Sequence, residues 1–287
     1  MTDLNGFLQR AEALLDRLDA LLPAPAPEPD WTAAKAFRWQ RRNGRGALVP
    51  VKLVDRIRLE DLKDVDSQKE RIDRNTRQFL AGRSANNVLL TGARGTGKSS
   101  LIKGLLNAYA DQGLRLIEVD KSDLVALPEI VDLVAGRPER FILYCDDLSF
   151  EEGEDAYKAL KSVLDGSIAA MSANVLVYAT SNRRHLMPEY HDENLQVRHA
   201  GGELHPGEAV EEKVSLSDRF GLWVSFYPFN QDEYLEIVEH WLGVFRVPKR
   251  RIAAARQEAL QWALMRGARS GRVAWQFARD YAGREDG

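Results

Sequence analysis

The sequence predicts an α/β fold, a parallel sheet with helices on both faces followed by a small all-helical unit. Three observations predict it. Short apolar runs alternate with helically spaced segments from Leu59 to Phe226. The run Gly92-Ala93-Arg94-Gly95-Thr96-Gly97-Lys98-Ser99, with Ser100 after it, falls between one such strand and one such helix. From Gln231 onward the pattern is helical only, with a boundary near Pro228. Parallel strands need crossover connections, and alternating strands and helices supply them.

The glycine-rich run fits G-x-x-x-x-G-K-[ST] without a mismatch. Glycines allow backbone N–H groups to converge on phosphate oxygens, and the helix that follows adds partial positive charge at its N-terminus. Lys98 is placed to reach β- and γ-phosphates, and the Ser99 hydroxyl to ligate Mg²⁺. The loop is therefore read as a phosphate cradle, and the fold as that of a P-loop NTPase.

Taken in order, the chain opens with an amphipathic helix from Leu4 to Leu22, whose leucines and Phe7 recur at three- and four-residue steps. Its apolar stripe needs cover from the main domain, a partner or a second copy, and packing on its own protein is the first expectation. Pro23, Pro25, Pro27 and Pro29 then make a stiff linker. Between Ala36 and Val51, two strand-like runs flank Asn43-Gly44, a hairpin signal. Arg38, Trp39, Arg41, Arg42 and Arg45 lie around its tip. They read as a solvated turn, or as a contact for nucleic acid or an acidic face.

Leu59–Leu80 reads as mostly helical, with Asp66 or Ser67 as N-cap and Glu70 completing a capping box. The base pocket is expected near this stretch and the following strand, without named contacts. The strands are Asn87–Thr91, Leu114–Val119, Phe141–Asp146, Asn174–Thr180 and Leu222–Phe226. Helices are predicted over Asp123–Ala135 and Gly153–Leu164, then over Asp232–Leu242, Ile252–Leu264 and Gly271–Tyr281. The domain division expected is 1–22, 23–30, 31–58, 59–229 and 230–287.

With 287 residues and 44% hydrophobic content, the chain can bury one large core and a small second one. A net charge of −3 excludes a global basic field. The single cysteine, Cys145, excludes a disulfide framework within one chain and reads as a small buried hydrophobe. No apolar run reaches membrane-spanning length, and a cytoplasmic protein is expected.

Two further elements complete the site. The strand ending in Asp146-Asp147 brings carboxylates to the sheet's C-terminal edge, where Asp146 can hold the Mg²⁺ that Ser99 touches. Asp147, Glu151 or Glu152 could orient the attacking water. Asn182, with Thr180 and Ser181 as alternatives, follows the next strand and faces the γ-phosphate position. Arg219 and Arg272 are candidates for charge on a transferring phosphoryl group.

The set Gly92–Ser99, Asp146-Asp147, Asn182, Arg219 and Arg272, followed by helices, resembles the AAA+ ATPases. The resemblance covers about Leu59 to Tyr281. It implies a five-stranded parallel sheet with a helical lid, ATP and Mg²⁺ as cofactors, and a homo-oligomeric ring or filament with nucleotide between subunits. It also implies roles: Walker A for the loop, Walker B for Asp146-Asp147, sensor 1 for Asn182 and sensor 2 for Arg272. Arg219 would be the arginine finger, reaching the next subunit's nucleotide. Within AAA+, the phrases Tyr144–Phe150, Thr180–Leu186 and Leu216–Leu222 resemble an uncharacterised bacterial ATP-binding family (domain of unknown function 815), similar in style to replication initiators and helicase loaders. One departure is Asp147, where AAA+ enzymes commonly carry Glu; the shorter arm puts the hydrolysis rate in question.

The insertion between Arg183 and Ser217 holds His185, His191, His199 and His205, whose spacings match no common zinc pattern. It is expected to report γ-phosphate state to a subunit or client. Three functions follow: a Mg-ATP hydrolase that remodels or loads an unidentified protein or nucleic-acid client, a nucleotide-controlled switch with little turnover, and a P-loop small-molecule kinase.

Overall fold

The computed structural model describes residues 4–21, 29–42, 45–150, 154–165, 172–183, 186, 198–200, 203–205 and 216–284. Its architecture is mixed α/β with a mainly parallel sheet. Strands β1 (Ala36–Arg42), β2 (Arg45–Pro50), β3 (Val88–Gly92), β4 (Leu114–Glu118), β5 (Arg140–Cys145), β6 (Val175–Ser181) and β9 (Leu222–Phe226) form one sheet. Its order is β2-β1-β4-β5-β6-β3-β9. The short strands β7 (Arg198–Ala200) and β8 (Glu203–His205) pair separately, antiparallel.

The sheet therefore has seven strands, where five were expected. The five expected strands are present and mutually parallel. The hairpin adds the other two. β1 runs parallel to β4 in the register Ala36↔Leu116, and β2 returns antiparallel along its edge. The reason lies in alternation. Phe37 and Trp39 are fully buried, so one face of β1 belongs to the core. Arg38 stands opposite Glu118 and donates to its carboxylate at 2.8 and 2.6 Å, which ties the two strands together. Trp39 is consequently buried away from solvent and is not available as a stacking surface at the hairpin tip. Residues 43 and 44 of the turn lie outside the described residues.

Helix α1 (Leu4–Leu21) forms as predicted, but Phe7, Leu8 and Leu14 are 66%, 50% and 60% exposed. At those positions the expected packing on its own protein is not met. α2 (Asp66–Leu80) is shorter than expected. Leu59–Asp61 is a separate 3-10 turn, and Asp64 takes a left-handed φ of 58° between the two. The capping box expected from Ser67 and Glu70 does not form. The helix starts with Val65 as N-cap, which has no capping side chain, so Ser67 is already inside the first turn. An Asp66–Lys69 ion pair at 2.7 Å occupies that turn instead. α3 (Lys98–Tyr109), α4 (Leu127–Val134) and α5 (Asp155–Asp165) follow, with Lys121–Ala126 a 3-10 stretch where helix was expected.

Alternation along the strands divides the core into two layers. Val88, Leu90, Ile142 and Tyr144 pack with α2 and α3 through Ile72, Phe79, Leu101 and Leu105. Leu89, Phe141, Leu143 and Cys145 pack on the other face with Ile130 and Leu160. Cys145 is fully buried, and burial pushes its thiol up to about 12.

The C-terminal unit comprises α6 (Gln231–Val244), α7 (Lys249–Arg266) and α8 (Gly271–Ala282). Asn230 caps α6 by accepting from the N–H groups of Asp232 and Glu233, and Glu233 returns a bond to the Asn230 N–H at 2.7 Å. Ser270 caps α8. Tyr234, Val238, Ala259 and Phe277 join the first core layer, so the unit packs against the sheet domain through a shared apolar core.

Candidate functional site

The site begins where β3 ends. Gly92 has φ 122°, and a Cβ there would lie 1.9 Å from the Phe226 carbonyl oxygen of β9. Only glycine lets the loop leave the sheet at this point. Gly95 has φ 75°, and a Cβ there would come within 2.8 Å of Ser270 Oγ. The start of α8 thus rests directly on the loop, and the Arg272 N–H donates to the Gly95 carbonyl at 3.4 Å. Gly92→Ala should cost about 2 kcal/mol or more, from the clash and the left-handed backbone. A denaturant titration checks it.

Lys98 is buried on the first turn of α3. Its ammonium donates to the carbonyls of Gly92 and Ala93, both at 2.7 Å, and to Asn182 Oδ1 at 3.1 Å. Burial lowers its pKa to about 8. The charges of Asp147 and Asp146 oppose the shift, and those of Arg94 and Arg272 add to it.

Ser99 Oγ donates to Asp146 Oδ1 at 2.9 Å, and Thr180 Oγ1 donates to the same oxygen at 2.5 Å. The Asp147 N–H donates back to Thr180 Oγ1 at 2.9 Å. Burial pushes the Asp146 carboxyl up, but hydrogen bonds led by that from Thr180 and including Ser99 outweigh it and hold it below the ordinary carboxylate value. Asp146 is thus an ionised oxygen donor beside a hydroxyl, which suits a hard divalent cation sharing its shell with phosphate oxygens. Asp147 has a left-handed φ of 51°. Its carboxylate accepts from Asn182 Nδ2 and lies 4.0 Å from the Arg94 guanidinium.

These groups line a cavity of about 870 Å³. The loop from Arg94 to Ser100 contributes, as do Asp146, Asp147, Thr180, Asn182 and Arg272. Gly92 and Ala93 act from behind, through the carbonyls that Lys98 holds. A second part of the lining is apolar: Ile57, Leu62 and Val65 from the segment before α2, and Ile237, Trp241 and Val244 from α6. That segment is held to the helical unit through Asp61. Its carboxylate accepts from the Arg58 N–H at 2.9 Å and lies 3.2 Å from His240 Nε2.

A polar cradle, an oxygen pair for a cation and an apolar slot together fit a nucleoside triphosphate with a divalent metal, in a cavity of suitable size. The structure brings the loop, Asp146, Asp147, Asn182 and Arg272 into one site. It does not bring Arg219 there. That residue follows the helical residues 216–218 and forms an ion pair with Asp165. Glu151, Glu152, His185, His191 and most of the insertion lie outside the described residues.

Sequence reasoning ranked Thr180 behind Asn182, yet Thr180 makes the short bond to Asp146. A hydroxyl residue at the end of a buried strand, beside an acidic strand end, is the signal that could have raised it. The apolar slot had no local signal, because Ile57 and Trp241 come from distant parts of the chain.

Among the described residues, no helix is long and apolar enough to cross a membrane. No curated protein matches the chain. Similar solved structures include the Thermotoga maritima RuvB Holliday junction branch migration motor, at 15% identity over 80% of this chain and 75% of that one, TM-score 0.42. Another is the E. coli MS115-1 HORMA:CdnC:Trip13 complex, at 13% identity over 77% and 90%, TM-score 0.49. A DNA replication initiation factor matches at 14% identity over 80% and 65%, TM-score 0.49. The model of the family described as protein of unknown function (DUF815) matches residues 32–285, and the chain belongs to that family.

Proposed function

We propose that the chain is an AAA+-type ATPase that binds Mg-ATP, hydrolyses it and uses nucleotide-dependent self-assembly to act on a macromolecular client. The observation that carries this reading is the Ser99–Asp146–Thr180 chain of hydrogen bonds, at 2.9 and 2.5 Å, beside the buried Lys98. Phosphate cradle and cation ligands meet at one point, as phosphoryl transfer requires.

When bound, Mg²⁺ would neutralise charge on the β- and γ-phosphate oxygens. Ser99 and Asp146 would hold it, and Thr180 keeps Asp146 oriented. Lys98 exchanges the loop carbonyls for phosphate oxygens. Asn182 and Asp147 stand side by side to orient water. Arg272 acts from the helical unit on the nucleotide of its own chain. Arg219, outside its own cavity, would exchange its ion pair with Asp165 for the nucleotide of a neighbouring subunit.

A switch with slow turnover is the second reading, favoured by the hold of Asn182 on Asp147. A carboxylate already bonded, on an arm one methylene shorter than Glu, is less free to polarise water. Two measurements test the readings together. Mg-ATP should raise light scattering and release phosphate. Assembly without phosphate release selects the switch, and neither signal refutes both. Asp147→Asn should keep nucleotide binding, lose phosphate release by roughly 100-fold or more and hold the client in a pull-down with ATP.

A further inference from the structure

The phosphate loop carries a cation that the P-loop motif does not require. Arg94 occupies the third position of the loop, between Ala93 and Gly95. Lys98 is buried, whereas the Arg94 side chain is 77% exposed and lines the cavity. It does not share the bonds that Lys98 makes to the loop carbonyls. The contact shown for its guanidinium is the Asp147 carboxylate, at 4.0 Å, the outer limit of an ion pair. Asp147 is itself 57% exposed, and its left-handed backbone turns it towards both Arg94 and Asn182. Such an exposed pair contributes little to stability. Its geometry matters for another reason: it keeps an exposed guanidinium at the cavity beside the Asp147 carboxylate.

We propose that Arg94 is a catalytic residue of the loop itself, leaving Asp147 to contact the transferring phosphoryl group of the nucleotide bound in its own chain. This rests on the hydrolase reading above. In that step the water oxygen bonds to the γ-phosphorus. The bond from that phosphorus to the bridging oxygen breaks, and its electron pair goes to the β-phosphate of the departing diphosphate. A water proton passes to the inorganic phosphate formed. Charge on the equatorial and bridging oxygens is what a guanidinium, with its planar fork of donors, is suited to neutralise. The exchange also removes the guanidinium from beside Asp147, whose carboxylate keeps its bond from Asn182. Arg94 thus moves from the carboxylate to the γ-phosphate within one subunit.

The test separates ground-state from transition-state contacts. Arg94→Ala should keep its Kd for Mg-ADP within about threefold, lower kcat by roughly 100-fold, and lack the tighter binding that aluminium fluoride with Mg-ADP is expected to give the unsubstituted chain. Arg94→Lys should recover less than about a tenth of the lost rate, because a point charge lacks the fork. Mixing Arg94→Ala with Lys98→Ala should not restore turnover, since the subunit that binds nucleotide still lacks its own guanidinium. A kcat within twofold of the unsubstituted chain overturns the proposal. So does an equal loss in Kd and kcat, which marks ordinary substrate binding, and so does recovery in the mixture, which places the residue in trans. No phosphate release from the unsubstituted chain refutes the hydrolase reading first, and this one with it.

Discussion

Lys98→Ala is expected to bind Mg-ATP at least about 100-fold more weakly than the unsubstituted chain, because charge-assisted bonds to phosphate contribute roughly 1.5–3 kcal/mol each. Equilibrium titration with a fluorescent nucleotide measures this, and tight binding by the variant would remove the role given to the loop. The pH dependence gives an independent check. Burial holds the Lys98 ammonium near pKa 8 in the free site, against an ordinary 10.5. Bound phosphate stabilises the charged form, so binding above pH 8 requires proton uptake. Affinity should therefore be flat below about pH 7 and fall about tenfold by pH 9. Lys98→Ala should lack this slope. The same depressed pKa has a folding consequence of opposite sign. The unfolded chain binds more protons between pH 8 and 10.5, so the cost of burying Lys98 lessens as pH rises through that window.

Arg219→Ala is expected to keep nucleotide affinity within about threefold and lose turnover by roughly 1000-fold, the scale of an arginine supplied to phosphoryl transfer. The residue lies outside its own chain's cavity, held by Asp165 on α5. Its side chain is 25% exposed, so reaching a neighbour requires it to leave a largely buried position and exchange Asp165 for the neighbour's phosphate. Mixing decides the matter. Lys98→Ala lacks a nucleotide site but retains Arg219, and Arg219→Ala has the reverse defect. Two inactive proteins should together recover part of the turnover, since some interfaces then combine an intact site with an intact arginine. A mixture that stays inactive, with both variants folded by circular dichroism and still able to assemble, rejects a trans role for Arg219. Arg94→Ala is expected to behave oppositely in the same experiment, which distinguishes the two arginines by the subunit they serve.

Both arginines were visible in the sequence, but not their surroundings. The glycine-rich loop between strand and helix was legible because its geometry is local. Three glycines, a lysine and a serine at fixed spacing determine the backbone path and the donors it presents, whatever the rest of the chain does. Asp146 and Asn182 were legible for a related reason: each follows an apolar run whose length and alternation mark a strand end. The helical unit after Pro228 followed from periodicity alone.

The tertiary structure decided what depends on residues meeting across the chain. The hairpin's turn signal predicted two paired strands, but only the burial of Phe37 and Trp39 and the Arg38–Glu118 bonds made them the sixth and seventh strands of the sheet. The hydroxyl that orients Asp146 comes from Thr180, 34 residues away. The apolar slot joins Ile57 to Trp241, and its wall is held by Asp61 and His240, 179 residues apart. Backbone geometry and hydrophobic period are properties of neighbours in sequence, so the sequence by itself determined the five central strands, most of the helices and the loop. Packing of sheet faces and helical caps brings distant neighbours together, and it alone decided which side chains the loop would share its cavity with.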